Sequence, residues 1–393
     1  MPNDVLFRQA LAFFEKRFGH PPAVAAFAPG RVEVLGNHTD YNEGFVLAAA
    51  IDRGTFFLAA PRTDGRCLLA DAVHPELESE FPAVHPPPVS GEQAWSNYVR
   101  GMWALLVPSE HATGFEGVIA GDIPLGAGLS SSAALEVSAG VAFREMAGLT
   151  TPPLDLARLG QASEHRFAGV RCGLLDQITS LFGRADHLVE TDFRTLAIQH
   201  APLPDAVRLL VCNTGVKHRL VESAYNDRRA HCEEAAAWFR ARVAHPVATL
   251  RDVSMAEWEQ WAAEMPPLLA KRSAHVIGEN ERVQKGVAFL REGRLDRFGR
   301  LMFESHASSR FNFQNSCPEL DVLVERCQRL PGVLGARLTG GGFGGSVIVL
   351  VESGRAVSVG QTLARTAEVE FGRAVEPLLL RPSDGARTMP LRG

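Results

Sequence analysis

Lysine is nearly missing from this chain. It stands only at positions 16, 217, 271 and 285, so the positive charge of the 393 residues rests on arginine and the choice of a catalytic lysine is narrow. Cysteine is sparse as well: the six, at 67, 172, 212, 232, 317 and 327, form no C-x-x-C pair. That spacing does not fit a zinc site or a disulfide framework, which makes a reducing cytoplasm the expected location. No apolar run approaches the length of a bilayer span, so a soluble protein is expected. The stretch from Met1 to Gly19 has an early acid, Asp4, and no basic leader, and its amphipathic pattern predicts a surface helix. A net charge of -5 gives no general attraction for nucleic acid or an anionic membrane. Also absent are the G-x-x-x-x-G-K phosphate loop followed by Ser or Thr and the H-R-D and D-F-G set of protein kinases. These exclusions leave a metabolic enzyme or a small-molecule binding protein.

The hydrophobic fraction of 46% suffices for a large core, and the length suggests two domains or two lobes sharing one cleft. Strand is predicted over 23–28 and 32–35, a loop over GNHTDYNEG, and then two apolar strands over 45–60, hinged near Asp52 to Gly54. The proline-rich piece from Phe81 to Val89 reads as a surface connection. Helix is predicted over 95–106, strand over 115–123, and helices over 133–147 and 155–169, with Asp176 opening a further helical turn. Strands follow at 187–191 and 208–213, then charged amphipathic helices over 221–243 and 255–298. The tail alternates helix, strand, a glycine run, strand, helix and a closing strand at 377–381, a pattern suggesting a ferredoxin-like lobe. No low-complexity linker divides the halves, so the lobes, 1–205 and 206–393, are expected to pack closely.

Three stretches carry the chemistry. PLGAGLSSSAA, from Pro124 to Ala134, sets two glycines and three hydroxyls at the start of an apolar-periodic helix, where free amides and the positive end of the helix dipole converge. Such a point holds phosphate; read alone, the serines equally serve as helix caps. APGRVEVLGNHTDYNEG, residues 28–44, gathers Arg31, Asn37, His38, Asp40 and Tyr41, either a solvated turn or a sugar site in which Asp40 accepts two hydroxyl protons. TGGGFGGS, residues 339–346, contains a formal G-x-G-x-x-G, but it lies between two strands near the C-terminus and lacks the helix that a dinucleotide fingerprint requires. Its glycines more simply let a hairpin press its backbone on a phosphate or on another loop.

Together these stretches resemble the GHMP kinases and, within them, the galactokinases. GRVEVLGNHTDYNEGFVLAAAID is similar to the sugar-binding signature, PLGAGLSSSAALEVS to the ATP-phosphate motif and ARLTGGGFGGSVIVLV to the C-terminal motif. WSNYVRGM, SEHRFAGVRCGLLDQ, CNTGVKHRLVESAYNDRRAHCEEA and SCPELDVLVERC follow in order, so the resemblance covers nearly the whole chain. It implies an α+β fold of two lobes, an N-terminal mixed sheet with helices and a C-terminal ferredoxin-like lobe, with the active site in the cleft. It implies transfer of the ATP γ-phosphoryl group to the anomeric hydroxyl of D-galactose. Asp176 matches the catalytic base, kept ionised by Arg31, which also steadies charge on the transferring group. Gly126, Gly128, Ser130, Ser131 and Ser132 match the phosphate cradle, Trp95 a residue near the adenine, and Ser132 with Glu164 the ligands of Mg2+. Asn37, His38, Asp40, Gly173 and Tyr225 match the sugar side. The implied partners are the sugar and ATP, with neither nucleic acid nor membrane, and a monomer is the expected state.

Two departures touch the sugar. The family reads GEHTDY where this chain has GNHTDY, so Asn37 replaces a glutamate expected to accept a bond from the hydroxyl at carbon six. In RFNFQNS, residues 310–316, Phe311, Asn312 and Gln314 replace three acids of the family's RDDYEVS. If both changes face the site they remove negative charge, which suits galacturonate; drift within a working galactokinase, N-acetylgalactosamine or L-arabinose are the alternatives. A sugar- and ATP-sensing regulator with weak catalysis is a reading of another class, opposed by the presence of Arg31, Asp176, Ser132 and Glu164.

Overall fold

The computed structural model describes residues 3–391 apart from 125, 171 and 218–220. Leu125 of the phosphate stretch, Arg171 of the 163–177 segment and residues 218–220 of the 212–235 segment therefore lie outside the described residues. Helix α1 (Asp4–Phe18) is capped by Asn3, whose side chain accepts the Leu6 amide at 3.2 Å, and ends at Gly19 in the left-handed region. Next come β1 (Val24–Leu35), β2 (Phe45–Pro61), β3 (Arg66–Asp71), β4 (Glu78–Pro82), α2 (Asn97–Leu106) and β5 (Gly114–Gly121). The first half closes with α3 (Ser131–Met146), α4 (Pro153–Ser163), α5 (Leu175–Phe182), β6 (His187–Asp192) and β7 (Ala197–Pro202).

These strands form one mixed sheet, in which β2 runs antiparallel between β1 and β5 over its second half and pairs β6 over its first. The hinge expected near Asp52 is not a break. Pro29 pairs Gly54 and Arg31 pairs Ala50, so the extra residues of β2 bulge out while the strand continues for 17 residues. A Cβ on Gly54 would meet the Ala28 carbonyl at 2.3 Å, so the bulge needs a glycine there. β4 takes the first residues of the proline-rich piece, and Pro82 is tolerated because β4 is the sheet's edge. β3, β4 and β7 were not anticipated from the sequence.

The second half begins with β8 (Val207–Lys217), continues through α6 (Val221–Arg240), α7 (Met255–Trp261), α8 (Pro267–Arg291), α9 (Leu295–Ser308) and α10 (Pro318–Cys327), and then enters β9 (Val333–Thr339), β10 (Gly344–Glu352), α11 (Ala356–Phe371) and β11 (Leu378–Leu380). The antiparallel order β11-β8-β10-β9 is the ferredoxin-like arrangement expected. A last strand, β12 (Arg387–Thr388), returns to the first sheet, where Thr388 pairs Ala26.

One apolar core runs through both lobes. Val32, Leu47 and Ile51 of the first sheet belong to one buried cluster with Val211, Ile348 and Leu350 of the second and with Val283 and Val287 of α8. No described helix is long and apolar enough to cross a membrane.

Candidate active site

The sugar signature folds as strand, tight turn, strand. Alternation along β1 turns Arg31 and Glu33 to the same face, toward the cleft. Gly36 then adopts φ +97°, and a Cβ there would meet the Phe45 carbonyl at 2.4 Å, so the loop doubles back hard against β2. Thr39 ties that turn by bonds from its hydroxyl to the Gly36 and Phe45 carbonyls, at 2.7 and 2.6 Å.

From the other lobe, Glu279 of α8 accepts the Gly36 and Asn37 amides at 3.0 and 3.1 Å, and His275 Nε2 bonds the Asn37 carbonyl at 3.1 Å. Burial alone would raise the Glu279 pKa, yet Arg282, other nearby positive charge and the Arg282 bond hold it down at about 2. The His38 ring is framed by Tyr225 and Phe313, with centroids 5.0 and 4.6 Å away. Its Nε2 lies 3.0 Å from the Gly341 carbonyl and therefore carries the proton, and its Nδ1 accepts from the Tyr41 hydroxyl at 2.9 Å. Burial pushes His38 down to about 4, so it is neutral at physiological pH.

The phosphate stretch lies across β1. Gly30 permits this, since a Cβ there would meet the Leu129 carbonyl at 2.5 Å, and the Arg31 amide donates to that carbonyl at 3.1 Å. Gly126 and Gly128 take positive φ, and Ser130 follows at φ +58° just before α3, a conformation rare for a side-chain-bearing residue. That conformation delivers its hydroxyl to Asp176 Oδ2. Arg31 grips the other oxygen, with Nε and Nη2 at 2.7 and 2.6 Å from Oδ1, while its Nη1 donates to the Gly128 carbonyl at 2.8 Å.

Three cavities meet around these groups. A cavity of about 640 Å³ is lined by Asn37, His38, Asp40, Gly173 and Tyr225. One of about 300 Å³ lies over Gly126, Gly128 and Ser130 to Ser132. Arg31 and Asp176 line both. The third, about 340 Å³, shares Ser131 and Ser132 with the second and is walled by Trp95, Tyr98 and Leu135. Of the candidate residues read from the sequence, all but Tyr41 and Glu164 line one of these three cavities; Tyr41 bonds His38, and the buried Glu164 reaches Ser132. Gly173 packs its backbone on Asp40, where a Cβ would lie 2.3 Å from Oδ2. Asp40 itself is raised to about 6, chiefly by burial and then by the charge of Glu33.

The oxygen donors near Ser132 fit a hard cation. Ser132 Oγ lies 3.3 Å from Glu164 Oε1, and Gln177 bridges Glu164 and Glu136 at 3.3 and 3.1 Å. Burial and the charge of Asp176 lift Glu164 to about 7, and Glu136 lies well above the usual carboxylate range, again through burial and then the charge of Glu164. Glu136 Oε1 and Gln177 Oε1 are buried without a partner. The Glu164 and Glu136 carboxyls are kept largely protonated by burial and by nearby negative charge, and their oxygens with that of Ser132 are the donor type that could hold a hard cation in their ionised form. The sequence reading missed Glu33, Glu136, Gln177, Glu279 and Asn315. Glu33 stands two residues after Arg31 on a strand and Glu136 one turn after Ser132 on a helix, spacings that place each beside its neighbour. Glu279 and Asn315 carry no such local signal.

Residues 12–61 match the galactokinase galactose-binding signature, 97–184 the N-terminal domain of the GHMP kinases and 287–368 their C-terminal domain. The galactokinase of Roseiflexus sp. (strain RS-1) is 41% identical over 379 residues, which span 95% of this chain and 94% of that protein. The galactokinase of Chloroflexus aggregans is 40% identical over 375 residues, 95% of either chain. The crystal structure of Lactococcus lactis galactokinase complexed with galactose superposes with a TM-score of 0.88 at 33% identity, covering 98% of this chain and all of that one.

Proposed function

The chain belongs to the galactokinase family of the GHMP kinases, and from that membership we propose that it transfers the γ-phosphoryl group of ATP to the anomeric hydroxyl of D-galactose, giving galactose 1-phosphate and ADP. The sharing of Arg31 and Asp176 by two adjoining cavities carries the reading. A sugar in the larger cavity and phosphates over the glycine loop would meet where the carboxylate stands. Asp176 takes the proton of the attacking hydroxyl as the new oxygen–phosphorus bond forms and the bond to the ADP oxygen breaks.

Arg31 orients that carboxylate through Nε and Nη2 and sets positive charge beside the transferring group. The backbone of Gly126, Gly128 and Ser130 and the hydroxyl of Ser131 cradle the phosphates, while the Ser130 hydroxyl stays on Asp176, and Trp95 walls the third cavity, which would take the adenine. Ser132 and Glu164 would hold Mg2+, which when bound offsets charge on the phosphate oxygens. On the sugar side, Asp40 accepts two hydroxyl protons, His38 and Tyr225 form an aromatic wall, Asn37 lines the rim, and Gly173 keeps Asp40 in place.

We further propose that the enzyme works as a monomer in the cytoplasm, where its six free cysteines stay reduced, with the cleft formed between lobes 1–205 and 206–393. ADP release with MgATP and a panel of D-galactose, galacturonate, N-acetylgalactosamine, L-arabinose and glucose tests the reading. Galactose is expected to lead by a wide margin, and Asp176→Asn to lower its turnover by about 10²–10⁴ while binding survives. A lead by another sugar, or an active Asp176→Asn variant, contradicts it.

A further inference from the structure

An amide at position 37 does not leave its wall of the cavity uncharged. Glu33 is 5% exposed and lines the larger cavity together with Asn37 and Gly340. Its Oε1 accepts from Asn37 Nδ2 and from Arg337 Nη1, both at 3.0 Å, and among the described residues no partner reaches Oε2. Arg337 is fully buried and donates from the same nitrogen to the Val34 carbonyl at 3.2 Å, so its charge is held against Glu33. Asn37, by contrast, is nearly used up. Its amide nitrogen donates to Glu33 and to the Gly340 carbonyl at 2.7 Å, and its Oδ1 accepts from Asn315 Nδ2 at 2.8 Å. Both amide hydrogens are engaged, and one lone pair of Oδ1 is left for a ligand. Asn315 stands where the RDDYEVS pattern has valine, so the two departures from the family pattern meet in one bond.

Resting on the reading of the larger cavity as the sugar site, we propose that Glu33 is a substrate-binding and specificity-determining residue: its carboxylate, aimed by Asn37 and Arg337, accepts the hydroxyl at carbon six that position 37 would otherwise hold. Asn37 and Asn315 then position Glu33 and define the rim. The wall keeps a carboxyl group, paired with Arg337, and a sugar acid such as galacturonate would set its own carboxylate against Glu33 and be rejected.

The test compares the wild type with Glu33→Gln, Glu33→Asp and the exchange Glu33→Gln/Asn37→Glu on D-galactose and 6-deoxy-D-galactose, by steady-state kinetics and by calorimetric galactose binding. Glu33→Gln is expected to raise the galactose KM about tenfold, as loss of a hydrogen bond to a charged group does, with kcat and the KM for ATP moving far less. The preference for galactose over its 6-deoxy analogue falls by the same factor, and the exchange recovers most of it. Equal losses on both sugars, or unchanged galactose binding, overturn the proposal while leaving the kinase reading intact. If Glu33→Gln does not fold, Glu33→Asp keeps a charge opposite Arg337 but withdraws the carboxylate by one methylene; an undiminished preference in that variant overturns the proposal. A wild type that neither binds nor phosphorylates galactose overturns the sugar reading itself.

Discussion

Asp40 shows how one side chain ties the chemistry of the site to pH. Held near 6 by burial and the nearby charge of Glu33, it is ionised above that pH and protonated below it. A carboxylate accepts two hydroxyl protons, whereas the acid has one acceptor oxygen fewer and a proton to dispose of. The galactose KM is therefore expected to rise severalfold as pH falls from 7 to 5, a rise that Asp40→Asn flattens in the KM-against-pH profile. The same shift has the opposite sign for stability. The folded pKa lies above the unfolded value near 3.9, so the contribution is full below about 4 and is lost as pH rises through 6. At this scale the sequence was legible wherever a motif was contiguous: Arg31, His38, Asp40 and the serines stood out as dense polar runs. Glu33 went unread because it sits among apolar neighbours on a strand, and Asn315 because its partner is 278 residues away.

Helix α9 lies on strand β9 at a distance only glycine allows. A Cβ on Gly299 would meet the Leu334 carbonyl oxygen at 2.2 Å, and one on Gly335 the Gly299 oxygen at 2.3 Å. The close approach lets Ser305 reach Glu279 at 3.0 Å and His306 accept the Leu338 amide at 3.2 Å, so α9 braces the anchor of the sugar loop. Gly299→Ala is expected to cost about 2 kcal/mol or more, read as a melting temperature several degrees lower, with the galactose KM rising as the anchor loosens. Helices and the ferredoxin-like order were foreseeable because periodicity and glycine punctuation are local. The bulge of β2, by contrast, depends on its neighbours: Asp52 to Gly54 look like a hinge until Pro29 and Arg31 are paired across from them. Short polar strands such as β7, reading AIQHAP, carry too little alternation to declare themselves.

At the scale of the molecule, the cleft has two lobes but no divided core. Val211, Ile348 and Leu350 of the second sheet share buried surface with Val32, Leu47 and Ile51 of the first, and separating the lobes would expose all of them. Calorimetry is expected to give a single unfolding transition, and a fragment ending at residue 205 to aggregate; two resolved transitions would contradict the shared core. The return of β12 to the edge of β1 carries this further, into the order of synthesis. The sheet that bears Arg31 and carries the phosphate stretch across it gains its outermost strand only when Arg387 and Thr388 have left the ribosome, some 360 residues after the strand they cover. Until then the edge of β1 stands open, a template for pairing with another nascent chain. Strand β1 and the tail that covers it thus mature together.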